Sequence, residues 1–143
     1  MRFSEAHNHK VVSTATAETV GRVDRLLVDP RTRQVAGLLL KKSSGEGNLL
    51  AWSRLASFGT DAVTVPDVSV LEAPTGRFEE LADKHRSVLD KRVLSQSGVE
   101  LGVVKDVDFD PATGAVRALL TDREELAGER LSEVGSYAVI VTD

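Results

Sequence analysis

The stretch GRVDRLLVDPRTRQVAGLLL, residues 21–40, returns 81 positions later as GVVKDVDFDPATGAVRALLT, residues 102–121. Without a gap, eight of the twenty positions carry the same residue: Gly21/Gly102, Val23/Val104, Asp29/Asp110, Pro30/Pro111, Thr32/Thr113, Val35/Val116, Leu38/Leu119 and Leu39/Leu120. Unrelated segments of this length agree at about one position at average residue usage. One supersecondary unit is therefore used twice, and this decides the architecture before any local propensity is weighed. The expected division is a first unit over residues 10–66, a linker over 67–89 and a second unit over 90–143. A unit of about 60 residues buries only about 60% of its unfolded surface, so each should lean on the other.

Within each copy the pattern reads as strands. Lys10–Ser13 and its echo Lys91–Leu94 are short strands, and Gly21 and Gly102 mark a positive φ or a close backbone approach after a polar turn. The next apolar positions, Val23, Leu26 and Val28 and then Val104, Val107 and Phe109, are spaced three and then two apart. That spacing breaks the period of a flat strand. A β-bulge near Asp24-Arg25 and near Lys105-Asp106 restores it. Asp29-Pro30 and Asp110-Pro111 open a hairpin turn, with Asp at its first position and Pro presetting φ at the second. Gly114 suits the left-handed residue of that loop; the first copy has Arg33 there.

Val35–Leu40 and Val116–Leu120 are continuously apolar, as central strands are. Lys41–Asn48 reads as a flexible loop. Each copy then closes alike, Leu55…Gly59…Val63-Thr64-Val65 against Leu131…Gly135…Val139-Ile140-Val141, now at an offset of 76. The segment before each of these glycines reads as a turn or one helical turn. The five-residue shortening falls in the preceding loop, where length changes are tolerated.

In the linker, Thr75 is a candidate cap for a short helix with Glu79 and Glu80 in its first turns. Phe78, Leu81, Ala82 and His85 form its apolar stripe, with His85 expected half-buried against a barrel. Residues 1–9 read as an exposed polar tail.

Composition closes off several chemistries. Cysteine is absent, so disulfides, thiolate metal sites and cysteine nucleophiles are excluded. No apolar run approaches 18 residues, so no membrane insertion is expected. Aromatic residues make up only 4%, which leaves the core to Val, Leu and Ala and argues against base-stacking platforms. Gly45-Glu46-Gly47 lacks the Lys-Ser/Thr of a phosphate loop. The alternating Asp106, Asp108 and Asp110 suggest a divalent-metal face, but the bulge turns Asp106 away and Asp110 is a turn former. No metal, cofactor or catalytic set is assigned, and the chain is read as a non-enzyme.

Charge divides unevenly: residues 1–66 carry nine Lys/Arg and six Asp/Glu, residues 67–143 nine and sixteen. Arg22, Arg31, Arg33, Lys41 and Lys42 lie near turns of the basic first unit. They form the candidate binding patch, for RNA phosphates or an acidic protein face.

The order of these elements (short strand, Gly, Val-x-x-apolar-x-apolar-Asp-Pro, turn, Val-x-x-Leu-Leu, then Leu…Gly-x-x-Ala-Val-x-Val) resembles the PRC-barrel family. That family is named for the cytoplasmic part of the photosynthetic reaction-centre H subunit, and it also supplies the C-terminal domain of a ribosome-maturation factor. The resemblance covers both copies and implies an all-β chain of two tandem small barrels, five or six strands each, related by pseudo-twofold symmetry. It implies docking modules without a catalytic constellation. No transmembrane helix like that of the H subunit is present, and the arrangement is similar to free-standing tandem PRC proteins of bacteria. The expected function is a non-enzymatic cytoplasmic scaffold that docks onto a protein partner or associates with itself. The alternatives are an RNA- or ribosome-associated factor using the basic unit, and a small-molecule sensor with a site between the barrels.

If both hairpin loops share one geometry, Arg33 bears about 1 kcal/mol of strain for a positive φ. Arg33→Gly is then expected to leave the melting temperature unchanged or raise it; a clear fall means that the loops differ.

Overall fold

Each half of the chain forms its own six-stranded sheet, with one strand order used twice. The computed structural model describes residues 1–143. In chain order the elements are α1 (Phe3–Ala6), β1 (Lys10–Ser13), β2 (Thr19–Asp29), β3 (Gln34–Lys41), β4 (Leu49–Ala51), β5 (Ser57–Phe58) and β6 (Ala62–Val65). The connecting segment contains α2 (Arg77–Ala82). The second half follows with β7 (Arg92–Ser95), β8 (Glu100–Phe109), β9 (Val116–Thr121), β10 (Glu125–Ala127), β11 (Leu131–Val134) and β12 (Val139–Val141). The sheets run β4-β3-β2-β1-β6-β5 and β10-β9-β8-β7-β12-β11. In each, the closing strand lies parallel to the opening one, β6 to β1 and β12 to β7. The fold is all-β, two tandem small barrels.

The expected bulges are present. Register shifts between Val23 and Arg25 against β3, and between Val104 and Asp106 against β9. A second irregularity follows in each strand, at Leu27/Val28 and Asp108/Phe109. Together they turn Val23, Val28, Val104, Val107 and Phe109 inward, all buried, with Leu26 half-buried at the rim of the same core. Leu27 is sent to the opposite face, where it packs with Leu39, Leu49 and Leu81 of α2. Phe78 and Ala82 join that contact, so the linker helix does lie across the first barrel.

The two sheets meet at their hairpin turns. Val35 N donates to Gly114 O at 2.7 Å, and Val116 N donates to Arg33 O at 2.9 Å. A shift of 81 residues exchanges one bond for the other, so a pseudo-twofold axis passes between Gln34 and Ala115, which pair across the join. Beneath it lies one apolar cluster drawn from both sheets. Four of the six aromatics gather there: Phe109 meets Phe58 at 5.3 Å, Phe3 at 5.5 Å and Trp52 at 6.4 Å, edge to face each time. Such pairs add about 0.5–1.5 kcal/mol beyond area burial.

Several sequence expectations are corrected. Residues 1–9 are not a free tail: Phe3 and Ala6 are buried, and Arg2 bridges to Asp108. Two apolar residues spaced for one helical turn supply the packing that the polar composition hid. The segments before Gly59 and Gly135 are strands β5 and β11; the single 3-10 turns fall earlier, at Trp52–Arg54 and Gly128–Arg130. Gly76, with φ 58°, caps α2 in place of Thr75, and His85 is exposed because the helix ends at Ala82. Loop 41–48 is pinned, with Ser43 Oγ donating to Gly47 O at 2.7 Å and Ser44 N to Val20 O at 3.0 Å. Of the corner glycines, only Gly102 has a positive φ, 121°; Gly21 instead accommodates Leu40, whose Cδ1 lies 3.1 Å from where a Cβ would stand.

Arg33 and Gly114 do share the left-handed conformation, at φ 57° and 82°. Arg33 Nε also donates to Leu131 O at 2.9 Å. Glycine there trades relief of strain for a hydrogen bond worth about 0.5–1.5 kcal/mol, which holds the substitution near neutrality. The reciprocal change is not neutral. A Cβ on Gly114 would stand 3.1 Å from both Trp52 Cε2 and Val35 O, in a backbone conformation that disfavours it. Gly114→Ala is expected to lower stability by about 1–3 kcal/mol in thermal or urea unfolding; an unchanged midpoint would mean that the join is slack.

Candidate docking site at the seam between the barrels

The bulges do more than restore the strand period. They bring Asp24-Arg25 of β2 and Lys105-Asp106 of β8, equivalent positions in the repeat, to the walls of a cavity of about 380 Å³. The charges are inverted between the copies: Asp24 corresponds to Lys105, and Arg25 to Asp106. One side of the cavity is α1, through Phe3 and Ser4, with His7 just after it; the other is the end of the connecting segment, Ser87–Leu89. Leu26 and Val88 give it an apolar base, and Leu89 stands at its edge with 40% of its surface exposed.

Hydrogen bonds hold these walls in place. Asp106 accepts from Ser4 N at 3.2 Å and from the Ser4 hydroxyl. His7 Nδ1 donates to Asp24 O at 3.0 Å. Arg25 Nη1 donates to Ala82 O at 2.9 Å, which ties α2 to the bulge. Neither Arg25 nor Lys105 has a carboxylate within 4.0 Å. The result is a concave surface with an apolar base and two cations free of ion pairs. It is suited to holding an amphipathic group.

A family profile for the PRC-barrel domain matches residues 80–141. Residues 80–141 belong to the PRC-barrel family. The first sheet repeats that strand order without exception, giving two tandem PRC-type barrels. No curated protein matches the chain. PRC-barrel domains are in general non-catalytic binding or scaffolding modules, and no helix of the chain is long and apolar enough to cross a membrane.

The five basic residues singled out in the sequence do not form one patch on the first PRC-type barrel. Arg22 and Lys41 are cross-strand neighbours at the open end of the β2–β3 hairpin, with Lys42 next to them. Arg31 and Arg33 lie at its turn, seven or more residues along the strand, which is roughly 20 Å away. Arg33 is occupied at the join through Leu131 O. None of the five lines the seam cavity, whose cations are Arg25 and Lys105. Neither Lys105 nor Leu89 is among the candidate binding residues that the sequence singles out, although the repeat puts Asp24-Arg25 and Lys105-Asp106 at one structural position.

The turn residues behave as their chemistry suggests. Asp110 Oδ1 accepts from Ala112 N at 2.9 Å and its carboxylate faces Arg117 at 3.3 Å. Asp29 Oδ1 accepts from Arg31 N at 3.0 Å and from Arg77 Nη2 at 2.8 Å, tying the turn to α2. Pro30 is buried behind it and Pro111 half-buried. The aspartates suggestive of a metal face have separate tasks: Asp106 holds Ser4, Asp108 the α-ammonium of Met1 at 3.1 Å, and Asp110 its own turn.

Burial pushes the Asp29 carboxyl up, but the hydrogen bonds from Arg77 and from the Arg31 amide, with the charges of both arginines, outweigh it and hold it below the ordinary value of 3.8. A depressed carboxylate contributes stability in full above its unfolded pKa and loses it as pH falls through the folded value. Asp29→Asn should therefore melt lower than the parent at pH 7, by a margin steady down to about pH 5 and shrinking below pH 3.8. A margin that widens on acidification would contradict the pairing of Asp29 with Arg77.

Proposed function

We propose that the chain is a non-enzymatic cytoplasmic docking module whose seam cavity receives a protein, either a different partner or a second copy. The chain divides for this purpose into units 10–66 and 90–143 joined by 67–89, a division that the two sheets support. The observation that carries the reading is the cavity of about 380 Å³ built from equivalent positions of the two barrels, apolar at its base and charged at its walls. Such a site anchors one side chain of a partner, with water excluded by the surrounding contacts. The RNA alternative gains nothing from five basic residues divided between opposite ends of a hairpin.

Affinity capture from the source cell, repeated after nuclease treatment, tests this. A specific protein, or the chain itself, should be retained through nuclease and lost from the Leu89→Glu/Lys105→Glu variant. Retention that disappears with nuclease would replace the reading with an RNA-bound factor.

A further inference from the structure

The two barrels differ at one sheet edge. In the first, β4 is the edge strand and Leu49 faces Leu39 of β3. The backbone groups of Leu49 point away from β3 and are already used: Leu49 N donates to Glu72 O at 2.8 Å, and Glu72 N to Leu49 O at 3.1 Å. The connecting segment thus adds to this sheet as an extra extended piece, while α2 covers the adjoining face through Leu81.

In the second barrel β10 is the edge strand, and Glu125 faces Leu120 in the same register. Thr121 N donates to Glu124 O at 2.9 Å. Hydrogen-bonded and non-bonded pairs alternate along an antiparallel ladder, so the N–H and C=O of Glu125 point outward. No residue of the chain bridges to them. Leu120 beside them is half-exposed, whereas its counterpart Leu39 is buried.

We infer that the outward edge of β10 is a strand-addition site for an extended, basic segment of a partner protein. The inference rests on the docking reading above and adds to it a second surface and the chemistry of what binds there. The repeat demonstrates the mode, since the equivalent edge of the first barrel is filled in this way by the chain's own backbone. Charge selects the occupant. Glu124, Glu125 and Glu129 are exposed and have no Lys or Arg within 4.0 Å. Pairing two β10 edges would set these glutamates against their own copies, which disfavours a second chain here. A segment carrying Lys or Arg answers them and lays its aliphatic stems over Leu120. Main-chain bonds supply the affinity in this mode, and alternate side chains the selectivity.

Titration of isotope-labelled protein with a synthetic Lys-Val-Leu-Lys-Val-Lys peptide, followed by amide NMR, tests the assignment. Saturable shifts should appear over residues 119–127, and exchange of the Glu125 amide with solvent should slow. Proline removes an outward donor from an edge strand without touching the inner ladder, so Glu125→Pro should abolish the saturable shifts over the remaining residues of 119–127. Should that variant fold poorly, Glu124→Lys/Glu129→Lys, confined to exposed side chains, should weaken binding about tenfold. No shift at millimolar peptide, or shifts confined to the seam cavity, would overturn the site. A captured partner that binds Glu125→Pro as tightly as the parent would overturn it too, and would leave the docking reading standing. Only failure of the nuclease-treated capture removes that reading.

Discussion

Two backbone hydrogen bonds, Val35 N to Gly114 O and Val116 N to Arg33 O, set the relation between the halves. Each bond is the image of the other under the repeat, so each hairpin gives its partner one donor and one acceptor. The same join stacks the barrels over Phe109, which meets Phe3, Trp52 and Phe58. A barrel of about 60 residues is marginal alone; a shared aromatic core is what makes the pair a sound one. The seam cavity is a consequence, because the bulges that aim Phe109 and Val28 inward also bring Arg25 and Lys105 together at its walls.

The copies have diverged where they meet the rest of the chain. On the outer face of the first hairpin stand Leu27, Leu39 and Leu49, a surface that must be covered and is, by α2. Asp108, Leu120 and Glu125 occupy those places in the second. That polar face needs no helix; instead Asp108 binds the start of the chain, and Asp106 holds Ser4. One set of substitutions therefore explains why the first barrel is closed over by its linker and why the second keeps an open edge.

How much of this could be read from residues alone depended on distance along the chain. The repeat at offset 81, the bulges inferred from the spacing of Val23, Leu26 and Val28, and the left-handed Arg33 are local patterns, and they were legible. The stripe of Phe78, Leu81 and Ala82 was legible for the same reason. Phe3 packing on Phe109 was not, because two apolar residues in a polar stretch make no periodic signal. The basic patch failed in a similar way: Arg22 and Arg33 are close in number, but an extended strand carries them apart. Scarce aromatics suggested an aliphatic core, and composition could not say that four of the six would gather at one point.

The central claim is that the two barrels unfold as one body because their hairpins and aromatic core are shared. Urea unfolding followed by the fluorescence of Trp52, the only tryptophan, and in parallel by amide exchange at Val93, Val139 and Val141 of the second barrel, tests it most directly. The account predicts coincident midpoints and slopes for both probes. Separate transitions, with the second barrel persisting after Trp52 has reached its unfolded signal, would contradict it.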